Sequence, residues 1–192
     1  MKHAATRMLF SYWDALRGER AAPDRGEIEP GEIRHILADT FILENEDGPA
    51  RFRLAGTRLC ALFGCELKNA PFSAIWDPAA PDDGVRQIDI VTSETAGIVA
   101  GIVGESTRGE PLDMELLLLP MRHRGRTHSR IIGALSPAIV PLWIGYDRLS
   151  HIRLTSMRVI WPVGRKNVAS ILQEEAPSER RRKFVVHPGG RA

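Results

Sequence analysis

The chain has 192 residues, 26 of them basic and 24 acidic, for a formal net charge of +2. That length suits one domain with a sizeable core and excludes a sensor joined to a separate catalytic output domain. Charge this close to balance gives no reason of its own, despite a pI near 8.7, to expect a nucleic-acid partner. Met1-Lys2-His3 opens no apolar signal run, and no window approaches the roughly 18 uninterrupted apolar residues of a membrane span. The two cysteines, Cys60 and Cys65, are spaced too widely for a CxxC motif. A soluble cytoplasmic protein with reduced thiols is expected.

Ala5, Met8, Leu9, Tyr12, Trp13 and Leu16 recur at helical spacing and form one apolar stripe, which predicts a helix over 4–17 with Gly18 as its stop. Gly18 to Glu29 is charged and holds Pro23 and Gly26, so it reads as a linker. Pro30 then opens a second short helix with Ile33, Ile36 and Leu37 facing inward. Residues 1–29 thus form an N-terminal amphipathic helix and linker set apart from the rest of the chain.

Thr40 to Glu46 and Arg51 to Ala55 alternate in polarity around Asn45-Glu46-Asp47-Gly48-Pro49, which predicts a hairpin. The second of these strands breaks at Gly56 into a short helix stopped by Gly64, followed by an irregular helical stretch with Phe72 and Trp76. Pro81-Asp82-Asp83 caps a longer helix running to about Ala96, with Val85, Ile88, Val91 and Thr95 on one face.

Ile98 to Ser106, Leu112 to Met121 and Ser129 to Ser136 are three successive strands. A two-residue turn at Gly125-Arg126 pairs Met121 with Arg130, Leu119 with Ile132 and Leu117 with Ala134, and sets His123 opposite His128. Both faces of this meander come out apolar, so both need cover, whereas a half-solvated antiparallel sheet shows one polar set of positions. The connecting helices can cover one face, and the helix over 4–17, from the same molecule or a partner, can cover the other. A further strand runs from about Ile152 to Trp161, and the tail from Gln173 is polar with a basic run, Glu179-Arg-Arg-Arg-Lys183.

The strand-to-helix punctuation of Arg51-Phe-Arg-Leu-Ala-Gly-Thr-Arg-Leu-Cys-Ala-Leu-Phe-Gly-Cys-Glu-Leu-Lys-Asn-Ala-Pro-Phe-Ser-Ala-Ile-Trp76, with a meander after it, resembles a PAS domain over residues 12–160. It is similar in particular to small stand-alone PAS proteins found largely in alphaproteobacteria. The resemblance implies an α+β fold with a five-stranded antiparallel sheet, helices between its second and third strands, and the N-terminal helix packed outside the sheet. It makes 30–161 the sensory domain and 162–192 a polar basic tail. It also places Trp76 and Thr92 at the border of a pocket between sheet and helices, where an aromatic wall and a hydroxyl suit a small organic ligand.

Haem-binding relatives take a histidine from the long helix or its surroundings, and residues 72–100 hold none. Flavin-binding relatives embed a cysteine in Asn-Cys-Arg, and Cys65 sits in Phe63-Gly-Cys-Glu66 instead. Neither haem nor flavin is expected. His123 and His128 lack a third or fourth ligand, so no metal site is assigned. No nucleophile elbow, P-loop, GxGxxG or HExxH is present, and an enzyme is not expected.

The resemblance therefore implies a regulatory sensory and protein-interaction module acting in trans on signalling proteins such as histidine kinases or response regulators, gated by a small ligand. One alternative is a nucleic-acid or cyclic-nucleotide-responsive regulator using the basic hairpin Arg122-His-Arg-Gly-Arg126 and the tail; another is a small enzyme with an unrecognised site. No membrane partner is expected, and nucleic acid is not favoured. Leu9, Tyr12, Trp13 and Leu16 carry enough apolar area to predict a homodimer built on that helix and on the strip of Leu117, Leu119, Ile132 and Ala134.

Overall fold

In the computed structural model residues 1–46, 48–80 and 82–161 are described, Thr127 and His128 by their backbone alone. The basic tail, the capping role of Pro81 and the tip residue Asp47 lie outside the described residues. Strands β1 (Thr40–Glu44) and β2 (Arg51–Ala55) are followed by helices α2 (Thr57–Phe63) and α3 (Asp82–Ser93). A meander of β3 (Gly97–Ser106), β4 (Pro111–His123) and β5 (Arg126–Pro137) then returns to the sheet. A sixth strand, β6 (Leu149–Ile160), completes the antiparallel order β2-β1-β5-β4-β3-β6.

The expected count of five strands is thus corrected to six. β6 pairs with β3 along its whole length, and glycines on β3 allow the close fit: a Cβ at Gly101 would lie 2.7 Å from Ser156 Oγ. The strand-to-helix switch falls where expected. Gly56 precedes α2, and Gly64 closes it in the left-handed conformation at φ 64, which costs glycine nothing. The helix expected after Pro30 is instead a chain of tight turns, with Ile33 N bonded to Pro30 O and Ile36 N to Ile33 O, ending in a 3-10 turn at Leu37–Asp39. Ile33 and Ile36 are buried there, while Leu37 is exposed.

The predicted pairs Met121 with Arg130, Leu119 with Ile132 and Leu117 with Ala134 are all present. The turn itself is Arg124-Gly125, both at positive φ (51 and 79), so His123 faces Arg126 and not His128. Beyond that pair the register shifts between Met121 and His123, which restores the predicted pairing farther down the hairpin.

Alternation along β4 divides the interior in two. Leu116 and Leu118 join Phe41, Phe52, Leu59, Phe72, Trp76, Ile88 and Val91 in an inner core under α2 and α3. Leu117, Leu119 and Met121 join Ile132 and Ala134 in an outer core, and helix α1 (Ala4–Arg17) closes it with Ala5, Leu9 and Trp13. Leu9 is 0% exposed and Trp13 3% exposed within a single chain. Full burial of a leucine of this kind contributes about 1.5–3 kcal/mol. The Trp13 indole N–H donates to the Pro120 carbonyl at 2.8 Å, and Arg17, itself buried, stacks over the same ring 5.3 Å from its centroid.

Glu115, on the same face of β4 as Leu117, fastens the start of α1. Its buried carboxylate accepts from the backbone N–H of Lys2 at 2.9 and 2.8 Å, from that of His3 at 3.1 Å, and from the Thr6 hydroxyl. The helix has no side-chain cap of its own at His3, so this carboxylate serves as one from the strand beneath it. Burial alone would raise the Glu115 carboxyl; the Thr6 hydroxyl and the two amides outweigh it and hold the group below its ordinary 4.5. A depressed folded value means that the stabilisation is complete above pH 4.5 and is lost as pH falls through the lowered value. Replacing Glu115 with Ala is expected to cost about 1–3 kcal/mol at neutral pH. Chemical denaturation of Glu115→Gln across pH 3–7 should show a flatter acid limb than the wild type, and an unchanged limb would refute the assignment.

Candidate functional site

The expected pocket residues Trp76 and Thr92 both fall on the inner side of the sheet, where α3 and the turn before it pack. Trp76 ends the 3-10 turn Phe72–Ile75 and is held to β6 by a bridge with Ile152, reinforced by Asp77 N donating to Ile152 O at 3.0 Å. Its ring meets Phe72 edge-on at 5.8 Å. Helix α3 then runs past this indole so closely that only glycine fits at position 84: a Cβ there would lie 2.6 Å from Trp76 Nε1.

The buried face of α3 is Gly84, Gln87, Ile88, Val91 and Thr92. The expected face is therefore rotated, for Val85 is 47% exposed and Thr95 lies beyond the helix at φ 52. A glycine and a glutamine carry too little hydrophobicity to mark an inward face in a sequence pattern, and that is why Gln87 escaped notice.

Gln87 is the residue that sequence reasoning missed. It is 0% exposed, and among the described residues neither its amide nitrogen nor its amide oxygen has a hydrogen-bond partner; the indole N–H of Trp76 is likewise unpartnered. Gln87 follows Gly84, the residue against the indole, by three positions and so lies on the same side of the helix. Buried amides are almost always paired, and leaving one unpaired costs about 1–3 kcal/mol. Thr92 is also buried, but its hydroxyl is occupied by the Ile88 carbonyl of its own helix at 2.9 Å. A slot of about 240 Å³ opens along the start of α3, lined by Ala50, Phe72, Gly84, Val85 and Ile88 among others, but Trp76, Gln87 and Thr92 do not line it.

The other expected site residues are distributed differently. Leu9 and Trp13 are consumed by the chain's own outer core, whereas Tyr12 and Leu16 remain half-buried on the flank of α1, with Met8 exposed beside them. The Tyr12 hydroxyl accepts from Glu29 N at 2.8 Å. At the basic hairpin, Arg122 N donates to Pro23 O at 2.8 Å, while Arg124 and Arg126 are exposed. Burial raises the Cys60 thiol above its ordinary value, which keeps it protonated, and Cys65 is exposed. Among the described residues no group of three or more His, Cys, Asp or Glu gathers as for a metal ion, and no helix is long and apolar enough to cross a membrane.

An antiparallel sheet with helices inserted between its second and third strands is an α+β architecture of the PAS type. A PAS domain model matches residues 1–136, and the chain belongs to the PAS domain family. Domains of this family are in general sensory or signalling modules without catalytic activity. Among solved structures the chain is similar to that of an RNA-binding light-oxygen-voltage receptor, with 12% identity, a TM-score of 0.39, and coverage of 70% of this chain and 33% of that one. The chain thus spans about a third of that receptor's length. No curated protein matches it.

Gly84→Ala gains about 1 kcal/mol of helix propensity but drives a methyl into a rigid indole, so a net loss of about 1–3 kcal/mol is expected. Thermal denaturation checks it: an unchanged or raised melting temperature would mean that Trp76 is not pinned against α3.

Proposed function

We propose that this PAS domain is a regulatory sensory module that acts in trans on signalling proteins such as histidine kinases or response regulators. Its state is set by a small organic ligand held in the inner core beside Trp76, Thr92 and Gln87. The observation that carries the reading is the fully buried Gln87 amide, unpartnered among the described residues, on the helix that packs against the equally unpartnered Trp76 indole N–H. A planar ligand with two acceptors and one donor would satisfy these groups and recover the desolvation cost they impose. Phe72, Ile88 and Val91 supply apolar walls of the kind small-molecule sites use.

Gln87→Met keeps the volume and removes the polar atoms, so it should raise the stability of ligand-free protein by about 1–3 kcal/mol. Native mass spectrometry of freshly purified wild-type protein should show a bound mass that is released on denaturation and is missing from Gln87→Met. Wild-type protein that carries no such mass, and that no compound in a metabolite library stabilises, would remove the ligand from the proposal.

The homodimer enters the proposal in a narrower form. With Leu9 and Trp13 inside the chain's own core, the contact between copies falls to Met8, Tyr12 and Leu16 on the free flank of α1. Light scattering at micromolar concentration should show a dimer that Leu16→Glu converts to a folded monomer, whereas Trp13→Glu lowers the melting temperature of the fold itself. A monomeric wild type would eliminate the dimer.

A further inference from the structure

Three cations from distant segments line one groove at the β2 edge of the sheet. Arg25, Arg51 and Lys68 line a groove of about 450 Å³ together with Glu44, Glu46 and Arg53. The acids are already engaged: Glu44 pairs with Arg53 at 3.2 Å and with buried Arg130 at 3.0 Å, and Glu46 pairs with Arg130 at 3.1 Å. Two carboxylates are thus balanced by two guanidinium groups. Arg51 reaches only the Asn69 carbonyl, at 3.0 Å, and among the described residues no acid pairs with Arg25, Arg51 or Lys68.

A second opening, of about 240 Å³, shares Arg25 and Leu54 with the first and continues onto the outer face past Ile28, Ile33, Leu37 and Ile42. Its walls are apolar, and Leu54 and Leu37 remain 50% and 38% exposed. One end of this joined surface offers cations that no acid among the described residues neutralises, and the other offers exposed apolar area. The aromatic rings along it, Phe52 and Phe41, are buried at 0% and 1% exposure, so a nucleobase would find no free face on which to stack.

We propose that the joined grooves bind a small anionic amphiphile. A carboxylate or phosphate head is held by Arg25, Arg51 and Lys68, and an alkyl tail lies along Leu54, Leu37 and Ile28. The head gains charge-assisted hydrogen bonds from cations that pair with no acid among the described residues, and the tail removes exposed leucine area from water. This site is separate from the inner core and does not depend on the ligand proposed there.

Titration calorimetry with decanoate and decyl phosphate, each below its micelle concentration, tests the assignment, with decanol and inorganic phosphate as half-ligands. Saturable binding is expected for at least one amphiphile, weakened about tenfold by Arg51→Ala combined with Lys68→Ala and about threefold or more by Leu54→Asn. It should also weaken as salt rises from about 0.05 to 0.3 M. Preference for decanoate would identify a carboxylate ligand, and preference for decyl phosphate a phosphate ester; either supports the site. The proposal is overturned if neither binds at about 1 mM, if decanol or inorganic phosphate binds as tightly, or if the double variant, folded by circular dichroism, keeps wild-type affinity. It is equally overturned if Gln87→Met abolishes the binding, which would move the amphiphile to the inner core.

Discussion

Leu116 and Leu118 belong to one core and Leu117 and Leu119 to the other, although all four are consecutive on β4 and all are 0% exposed. Neither face of the central hairpin can stay in water, so the chain must furnish a layer on each side of the sheet. The inner layer is made by α2, α3 and the turn that carries Trp76. The outer layer is made by α1 and the tight turns around Ile28, Ile33 and Ile36. Every other feature of the fold depends on where these two layers can be anchored.

The outer layer is short of local helix stability, and so it depends on the sheet beneath it. A helix of 14 residues with no side-chain cap is marginal alone. Leu9 and Trp13 supply apolar burial, Glu115 supplies the missing acceptor at one end, and the Trp13–Pro120 hydrogen bond fixes the middle. Pro120 lies just past Leu118, the partner of Ile98 at the start of β3, where β4 has already lost its neighbour on that side. Its carbonyl is therefore free to accept from the indole, and a proline there interrupts no ladder with β3.

The elements with a strong periodic signal were legible. The stripe of α1, the Gly56 and Gly64 boundaries of α2, and the register of β4 with β5 all follow from local chemistry, and the apolarity of both hairpin faces correctly demanded two covering layers. The misses have a common physical cause: they involve residues whose partners are remote in sequence. Glu115 reads as an ordinary polar break in a strand until Lys2 and His3 arrive from 113 and 112 residues away. Gln87 looks like a surface residue because its burial depends on the rotation of α3, which is set by the contact between Gly84 and Trp76. The sixth strand was visible as a strand, but its place beside β3 rests on the fit of Gly101 against Ser156, which no periodicity encodes.

The same alternation that forces two layers also limits how a signal can travel between them. A ligand among Trp76, Gln87 and Ile88 would press on the inner side of a sheet whose outer side carries α1 a single strand-thickness away. Core packing is too dense to absorb even a methylene without displacement. Leu116 and Leu118 cannot shift independently of Leu117 and Leu119, because pleating places successive side chains of one backbone on opposite faces. The helix that packs on the far side of β4 is α1, seated on Leu117 and Leu119 and tied to Glu115 and Pro120, so strain passed through β4 would reach it directly. That mechanism needs no flexible linker and no second domain. It requires that α1 take up a second position and that the cost of satisfying Gln87 differ between the two, since a ligand shifts an equilibrium by no more than its differential affinity for the two states.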